Sequence, residues 1–481
     1  MDSLQSGIRM KRRDANLMYI RERIPLPENN AASNLSLSQK LSMGLLVLLI
    51  ILALRSASNP FQAYIHFSYG VSVLYLIICS HKLFLILAGS LRKSEIGITE
   101  IEISSNKTWP RYTLLLPVYR ETEIFPQLYK AVENMDYPRE NMEILLLVEE
   151  DDEEFKRYLA STRLPEWWKV VEIPDFKPKT KGKALNYGLL QASGKYLVIY
   201  DAEDIPEKNQ LKKAAIAFSR IPEDVACLQS KLNYYNPYQN ILTRWFTAEY
   251  SSWFDLYLPG IDAVNAPMPL GGTSNHFRTS KLLELKGWDP FNVTEDCDLG
   301  IRIFRAGYTT RVLDTTTWEE ANSLLDNWLK QRSRWVKGYI QTYFVNMRNP
   351  LELLKSTGPV NFLHFNIIVG GNFFVLCFNP LAWLMIIVWL AMPGKFSGSD
   401  TFLLTSAIIL LAGNLFFMLI NVWGVVKRKW YKLTMAAMMS PAYWFLMSMG
   451  AWKGLIQYLR KPHFWEKTRH ALFKNYHNQS S

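Results

Sequence analysis

Long apolar runs near both ends of the chain enclose a middle region in which short apolar and polar segments alternate. Two runs, at residues 43–54 and 63–89, come before the middle region, and three, at 360–392, 401–426 and 433–459, come after it. A helix needs about 20 consecutive apolar residues to cross a bilayer. The pattern therefore predicts a middle domain attached on both sides to membrane-spanning helices.

Basic residues beside the first two runs predict their orientation. Arg55 lies between the runs, whereas the segments outside the pair carry Lys11, Arg12, Arg13, Lys40, Arg92 and Lys93. Cytoplasmic segments of membrane proteins are rich in Lys and Arg, so we expect both ends of the pair and the middle domain in the cytoplasm. The first 40 residues lack the apolar core and cleavage site of a signal peptide, which predicts a cytoplasmic tail.

Prolines leave two interpretations open for the C-terminal runs. Pro380 interrupts the run at 360–392, and Pro441 interrupts the run at 433–459. A proline kinks or breaks a helix, so each run is either one kinked span or a tight hairpin.

Basic groups at 427–429 and 460–461 favour a single crossing in the first of these runs and a hairpin in the last, because both groups then face the cytoplasm. This arrangement predicts six spans. The predicted organisation is a cytoplasmic tail at 1–40, two transmembrane helices in 41–93, an α/β domain at 94–349, an interfacial helix with transmembrane helices in 350–459, and a basic cytoplasmic tail at 460–481.

The middle domain has the pattern of an α/β fold. Short apolar runs at 112–116, 144–148 and 196–200 each end at polar or acidic residues, and helical patterns at 125–134 and 183–191 lie between them. Buried parallel strands have this pattern and deliver functional side chains at their carboxyl ends. We expect a sheet of mainly parallel strands whose ends meet in one crevice.

Composition narrows the class of partner. The chain has 481 residues and a formal net charge of +11, but the basic residues lie mainly beside apolar runs. In that position they face anionic lipid headgroups, so we expect membrane lipids and not nucleic acid as partners. The four cysteines are far apart and predict neither a disulfide framework nor a zinc site.

Acidic residues follow the third predicted strand directly, in the sequence Asp201-Ala202-Glu203-Asp204. Mg²⁺ and Mn²⁺ prefer hard oxygen ligands, usually one or two carboxylates together with substrate phosphates. An isolated group of this kind is usually a solvated loop. Its place at a strand end favours a metal site held by Asp201, Glu203 and Asp204.

Residues after the first two strands are candidates for holding a nucleotide. Glu149 follows the second strand, where its carboxylate would accept from the N–H groups of a base, although most of the acidic run 149–154 is typical of a surface turn. The wall of the same pocket is predicted to include Pro117, Tyr119 and Glu121. Lys181 and Lys183 are predicted to lie in a flexible cationic loop that suits a diphosphate.

A second acidic group, Thr294-Glu295-Asp296, follows the glycine-containing loop 271–275. The simplest interpretation is a helix N-terminus, where Thr caps and acids are favoured by the helix dipole. The functional interpretation is that Asp296 takes a proton from an acceptor hydroxyl. Glu295 and Thr294 would support it, and the acceptor would contact Thr273 and Ser274 of the loop.

The segment 331–335 has the sequence Gln-Arg-Ser-Arg-Trp, and helical spacing places Gln331, Arg334 and Trp335 on one face. Such a segment is also typical of an amphipathic helix on a membrane surface. The functional interpretation is that Arg332 and Arg334 compensate a departing diphosphate while Trp335 stacks on a sugar ring.

Seven motifs in order, PVYRE, VEED, KGKALN, DAED, GGTSN, TED and QRSRW, resemble the family 2 glycosyltransferases of the cellulose synthase and hyaluronan synthase type. The resemblance is close over residues 109–349 and loose over the membrane segments. It implies a Rossmann-like GT-A fold in the cytoplasm, a nucleotide-sugar donor, inversion at the anomeric carbon, and often extrusion of the growing chain through the adjoining spans.

Carried over by position, the resemblance implies that Glu149 and Asp201 contact the nucleotide, Glu203 the metal, Asp296 the acceptor as base, and Gln331, Arg334 and Trp335 the diphosphate and acceptor. Two positions depart from the family pattern. Glu203 stands where the family usually has Asp, so either Glu203 or the adjacent Asp204 is the ligand. Glu149 also replaces an Asp.

The resulting expectation is an integral membrane, metal-dependent, inverting hexosyltransferase that extends a growing β-linked polysaccharide. UDP-glucose is the first expected donor and UDP-N-acetylglucosamine the second. The alternatives are transfer of one sugar to a polyprenyl lipid carrier, and a non-catalytic translocation or scaffold subunit. Residues 464–470 loosely resemble the gating loop of cellulose synthases, although a basic tail near the membrane explains them equally well.

Overall fold

The computed structural model describes residues 26–33, 35–56, 60–392, 400–464, 466–468 and 473. Most of the predicted cytoplasmic tail, residues 1–25, lies outside the described residues. The same holds for the connection at 57–59 and for most of the predicted basic tail beyond residue 468.

Two N-terminal helices lead into an α/β domain. The helices before and within the domain are α1 (Leu37–Ser56), α2 (Pro60–Arg92), α3 (Glu100–Ser105), α4 (Phe125–Glu133), α5 (Glu153–Ser161), α6 (Lys181–Leu189), α7 (Gln210–Arg220), α8 (Ile241–Ser252), α9 (Leu258–Ala263), α10 (Thr279–Glu284), α11 (Glu295–Arg305) and α12 (Leu325–Asn346). A π-helical turn, Trp253–Tyr257, joins α8 to α9.

The strands are β1 (Tyr112–Val118), β2 (Met142–Glu149), β3 (Trp168–Ile173), β4 (Tyr196–Ile199), β5 (Ile205–Pro206), β6 (Val225–Tyr234), β7 (Asn275–Arg278) and β8 (Thr309–Glu319). They form one sheet in the order β3-β2-β1-β4-β7-β6-β8-β5. Strands β3, β2, β1 and β4 are parallel, and so are β6 and β8, whereas β7 runs antiparallel between β4 and β6. This mixed Rossmann-like sheet confirms the predicted GT-A fold class.

Both faces of the sheet are buried. Alternate residues of β1 point to opposite sides, so Leu114 and Leu116 lie in one hydrophobic core and Leu115 in the other. Burial on both faces explains why the strands appear in the sequence as continuous apolar runs. The three predicted strands are confirmed as β1, β2 and β4, and the two predicted helices as α4 and α6.

One local prediction in this region is wrong. Lys181 and Lys183 do not lie in a flexible loop, because α6 already begins at Lys181. The Thr180 side chain accepts from the Lys183 backbone N–H and caps the helix there.

The elements after the domain are mainly long helices. They are α13 (Pro350–Phe365), a π-helical turn (Asn366–Gly370), α14 (Gly371–Ala391), α15 (Asp400–Lys427), α16 (Thr434–Met438) and α17 (Ser440–Arg460). Within the part of the chain that the structure describes, three segments are long and apolar enough to cross a membrane by length and composition: Gln62–Arg92, Pro350–Ala391 and Asp400–Lys427. The run at 360–392 therefore stays helical through Pro380, as in the single-crossing interpretation.

The predicted hairpin at 433–459 is wrong. Residues Ser440–Arg460 form the single helix α17, which runs alongside α12. Tyr443 contacts Trp328 near the start of both helices, and Tyr458 stacks on Phe344 near their ends. Since α12 belongs to the sheet domain, α17 lies beside that domain, and one helix takes the place of the predicted hairpin.

The sheet domain packs directly on α2 through two glycines. A Cβ atom at Gly260 of α9 would collide with the carbonyl oxygen of Leu85, and one at Gly89 would lie 2.7 Å from the Gly260 nitrogen. The Ser94 hydroxyl also donates to the Pro259 carbonyl at 2.7 Å. Backbone contact at this point fixes the domain against the membrane helix.

We predict that Gly260→Ala lowers the stability of the full chain by about 1–3 kcal/mol, the usual cost of overpacking a close contact. The measurement is the thermal unfolding midpoint of the protein in nanodiscs. Gly97→Ala is the control, because a Cβ there meets nothing within 4 Å. Equal midpoints for the two variants would contradict the close packing of α9 on α2.

Candidate active site

A cavity of about 1050 Å³ begins at the carboxyl ends of the parallel strands and continues between the membrane helices. Its walls in the domain come from the ends of β1, β2 and β4, the start of α11 and the middle of α12. Of the predicted site residues, those that line the cavity are Pro117, Tyr119, Glu121, Glu149, Lys181, Asp201, Glu203, Thr273, Thr294, Glu295, Asp296, Gln331, Arg332, Arg334 and Trp335. Lys183, Asp204 and Ser274 are not among the lining residues.

The acidic group after β4 is held by hydrogen bonds to its neighbours. Asp204 is completely buried, and its Oδ2 atom accepts from the Asp201 backbone N–H at 2.7 Å and from the Thr273 hydroxyl. Its Oδ1 atom is buried and has no hydrogen-bond partner among the described residues. Burial and the charges of Asp201 and Glu203 raise the pKa of Asp204 well above its usual value.

A divalent cation fits the chemistry of this group. Hard carboxylate oxygens are gathered at one strand end, and the orphan Oδ1 atom of Asp204 lacks the electropositive partner that a buried acceptor needs. Lys181 supplies part of that charge, through a salt bridge to Asp201 and a 2.7 Å hydrogen bond to the Gly272 carbonyl. Within the described part of the chain, no three His, Cys, Asp or Glu side chains are grouped so that they could hold a metal ion.

Glu149 is oriented by a buried lysine. Lys183 is 3% exposed, and its ammonium group donates to Glu149 Oε2 at 2.7 Å, to the Pro174 carbonyl at 3.2 Å and to the Phe176 carbonyl at 3.4 Å. An ammonium group has three protons, so these acceptors use all of them. The structure therefore places Lys183 behind Glu149, where it cannot reach a diphosphate in the cavity.

The same contact controls the charge of Glu149. Burial raises the pKa of the Glu149 carboxyl, whereas Lys183 lowers it, and the net direction is upward. Without the lysine, burial would favour the neutral form more strongly.

The acidic group 294–296 lies at the start of α11. Thr294 occupies the N-cap position, but its side chain makes no capping hydrogen bond and instead packs against Gly338 of α12. Burial and the charge of Asp296 raise the pKa of Glu295 to about 7, and burial raises the pKa of Asp296 as well. Lys181 and Arg334 act on both carboxyls in the opposite direction.

The two arginines of α12 have different surroundings. Arg332 forms a salt bridge with Glu249 and donates to the Tyr443 hydroxyl at 2.7 Å. Its guanidinium also lies 4.4 Å from the Phe246 ring centroid and 4.7 Å from that of Trp335. Arg332 is therefore bound within the protein, and Arg334 is the α12 arginine that acts electrostatically on the two carboxyls of α11.

Of the three predicted acceptor contacts, two line the cavity and one is bound within the protein. Trp335 lines the cavity and stacks on Tyr250 with ring centroids 6.1 Å apart. Thr273 also lines the cavity, whereas Ser274 is completely buried and bonds to the Thr317 hydroxyl at 2.6 Å. The neighbouring Gln331 accepts from Asn322 at 2.9 Å.

Sequence reasoning missed several residues of the cavity. Glu319, at the end of β8, lines it, and burial together with Asp204 raises its pKa well above the usual value. The same signal that identified Asp201, an acid at a strand end, could have found Glu319. Lys467 also lines the cavity and donates to the Tyr119 carbonyl at 2.5 Å. It lies in the segment 464–470 that resembles a gating loop, but it was not predicted as a site residue.

Comparison with known proteins identifies relatives over the same region. The family described as glycosyl transferase family group 2 matches residues 196–453, more than half of the chain. "Probable glycosyltransferase YdaM" of Bacillus subtilis is 27% identical over 237 residues, which cover 48% of this chain and 56% of that protein. The cellulose synthase catalytic subunit of Pseudomonas fluorescens is 26% identical over 249 residues, which cover 50% of this chain and 32% of that protein.

Among solved structures, the mannosyltransferase PcManGT from Pyrobaculum calidifontis, in complex with GDP-Man and Mn²⁺, aligns with a TM-score of 0.48 and 16% identity. The alignment covers 78% of this chain and 99% of that structure. The chain matches about half or less of the length of the two curated relatives. The family match extends from β4 through the acidic groups and α12 into the C-terminal helices. Because it covers more than half of the chain, this chain belongs to glycosyl transferase family group 2.

Proposed function

We propose that this chain is an inverting, processive glycosyltransferase that builds a β-linked polysaccharide from a nucleotide sugar and passes the product between its membrane helices. The observation that carries the proposal is the single cavity, which contains both the carboxylates of α11 and side chains of α2, α14 and α15. A product formed at Asp296 thus has a continuous path toward the membrane. The similarity to the cellulose synthase catalytic subunit supports the same function.

The reaction is a single displacement. Asp296 takes the proton of an acceptor hydroxyl, whose oxygen attacks the anomeric carbon of the donor. The bond from that carbon to the diphosphate oxygen breaks, and its electron pair leaves with the nucleoside diphosphate. Attack from the side opposite the leaving group converts an α-linked donor into a β-linked product.

Cationic side chains of the cavity oppose the charge of the leaving group. Lys181 and Arg334 are cations that act on both carboxyls of α11, and we propose that they stabilise the diphosphate oxygens. Arg332 supports this arrangement from behind, by fixing α12. Trp335, whose ring lines the cavity, offers a face on which the acceptor sugar stacks.

A divalent ion, Mg²⁺ or Mn²⁺, belongs to the proposed site. One or two of the carboxylates of Asp201, Glu203 and Asp204 would hold it together with the donor diphosphate, with Asp204 Oδ1 as the atom that now lacks a partner. Such an ion neutralises diphosphate charge when it is bound. Glu203 stands at the position where the family usually has Asp. Both Glu203 and Asp204 are therefore candidate ligands in this proposal.

The nucleotide is proposed to lie with its base at Glu149, whose carboxylate accepts from a base N–H. We propose a UDP-sugar as donor, UDP-glucose first and UDP-N-acetylglucosamine second. The basic residues beside the spans support a cytoplasmic position for this domain, on the side where nucleotide sugars are made.

The C-terminal segment is proposed to close over the donor. Lys467 reaches the Tyr119 carbonyl and lies 3.4 Å from Glu121, and the Phe464 carbonyl accepts from Lys337. These contacts connect the segment to both the base side and the α12 side of the cavity. This is the role that the loose resemblance to a gating loop suggests.

We predict that the wild-type protein in nanodiscs forms labelled product from UDP-glucose or UDP-N-acetylglucosamine, and that Asp296→Asn lowers kcat by about 10²–10⁴-fold through loss of the general base. Donor binding by the variant should remain close to that of wild type. Full turnover by Asp296→Asn would remove the base assignment. Absence of product from a folded, metal-loaded wild type with every UDP-sugar and GDP-mannose would contradict the proposed function itself.

Lys183→Met should raise the donor KM and leave kcat nearly unchanged, because it removes the group that orients Glu149 and lowers the pKa of its carboxyl. The pKa of Glu149 then rises further, so nucleotide affinity should recover as pH increases. Isothermal titration with UDP across a pH series measures this effect. Lys183→Arg is the conservative control, and equal affinities for wild type and Lys183→Met would contradict the role of the lysine.

The pH profile of kcat should rise at a higher pH in the wild type than an ordinary Asp base would give. Burial raises the pKa of Asp296, so its carboxyl stays protonated up to a higher pH and the base is lost as pH falls. Glu295→Gln removes the neighbouring charge that opposes ionisation of Asp296, and the rise should then move to lower pH. A profile that does not move in Glu295→Gln would show that the two carboxyls titrate independently.

A further inference from the structure

Lys82 lies within a membrane-spanning helix and lines the cavity. It is ten positions before Arg92, the last residue of α2, which corresponds to about 15 Å along a helix. A charged side chain at such a depth is costly and usually faces a water-filled cavity or a ligand. The cavity that contains Asp296 is the space that Lys82 faces.

The ammonium group of Lys82 contacts aromatic faces and has no direct ion-pair partner among the described residues. It lies 4.8 Å from the ring centroid of Tyr257 and 4.8 Å from that of Phe417. Among the described residues, no carboxylate lies within ion-pairing distance of this ammonium group, and it makes no hydrogen bond. Glu249 is the nearby acid, and its carboxylate is already occupied by Arg332 and by the Tyr443 hydroxyl at 2.6 Å.

The membrane part of the cavity is lined by amides as well as rings. Four asparagines of α14 and α15 line it: Asn372, Asn379, Asn414 and Asn421. The side-chain oxygen of Asn379 is buried and has no hydrogen-bond partner among the described residues. An orphan acceptor of this kind requires a donor from a ligand or water, and hydroxyl groups of a saccharide supply such donors. An acyl chain would leave the Asn379 oxygen unsatisfied.

A neutral saccharide would leave the charge of Lys82 uncompensated. A ligand that fills the cavity displaces the water around the ammonium group, and hydroxyl groups offset only part of the desolvation free energy. A carboxylate would offset it through an ion pair in a region of low dielectric, where such a pair is stronger than in water. Charge complementarity therefore selects an anionic saccharide.

We propose that Lys82, with the rings of Tyr257 and Phe417, forms a subsite for the carboxylate of a uronic acid residue in the acceptor saccharide. The proposal rests on the proposed function, because it assigns the cavity to an acceptor chain. It adds that the acceptor contains a uronic acid residue beside the neutral sugars that the proposed donors supply. The subsite lies on the membrane side of the catalytic carboxylates.

The test is saccharide binding without donor. Full-length protein in nanodiscs is titrated with β-linked glucuronate oligomers and with neutral glucose oligomers of the same length and linkage, which differ only in the carboxylate. The wild type should bind the acidic oligomer at least about tenfold more tightly, the equivalent of one modest ion pair. Lys82→Met should abolish this preference, and Lys82→Arg should retain it.

Two controls separate the subsite from general effects. Lys432→Met removes an exposed cation outside the cavity and should leave the preference unchanged. Retention of UDP binding by Lys82→Met shows that the variant is folded. Because no donor is present, the outcome does not depend on whether the correct nucleotide sugar has been found.

Equal binding of the acidic and neutral oligomers by the wild type would overturn the proposal, and so would a preference that survives in Lys82→Met. A third contradicting result is Lys82-dependent binding of polyprenyl phosphate with no saccharide preference, which would assign the cation to a lipid phosphate. Failure of turnover with all donors, by contrast, would count against the proposed function and not against this carboxylate preference.

Discussion

The buried Arg332 forms an ion pair with the half-buried Glu249 that joins α12 to α8, and the Tyr443 hydroxyl of α17 binds both partners. Removal of Glu249 would leave the buried charge of Arg332 uncompensated, which costs up to about 3–5 kcal/mol in fully buried pairs. The pair fixes the rotation of α12 about its axis. Arg334 and Trp335 consequently face the cavity, with Arg334 toward the carboxylates of α11.

A balance of charge governs the cavity itself. Asp201, Glu203, Asp204 and Glu319 act on one another, so burial and mutual repulsion raise the pKa values of Asp204 and Glu319. Lys181 opposes this repulsion through its contact with Asp201. Binding of an anionic donor to such a site requires additional positive charge, and this requirement gives the physical reason for the proposed metal ion.

The parts of the fold that follow from local patterns were predictable from the sequence. Strands β1, β2 and β4 appear as apolar runs because both faces of the sheet are buried, and the acids at their ends meet because the strands are parallel neighbours. The segment 331–335 is helical as expected. These features depend on residues close together in the chain.

Contacts between distant segments were not predictable in the same way. In the sequence, Arg332 and Lys183 have the pattern of phosphate-binding cations. The fold shows that Arg332 forms an ion pair with Glu249 and that Lys183 forms one with Glu149. The hairpin predicted at 433–459 fails because Gly450 and Gly454 let α17 pack closely on α12; a Cβ at Gly454 would lie 2.6 Å from the Ser333 carbonyl oxygen. Hydropathy alone does not distinguish such a helix from a membrane span.

The most direct test of the central claim, that one cavity couples transfer to passage through the membrane, uses proteoliposomes with the sheet domain facing outward. Radiolabelled UDP-glucose or UDP-N-acetylglucosamine is added outside, and the product is sized and then treated with an external glycosidase. The account predicts a long saccharide that is protected inside the vesicles until detergent is added. A product of one sugar on an extractable lipid, or a polymer fully digested from outside, would contradict it.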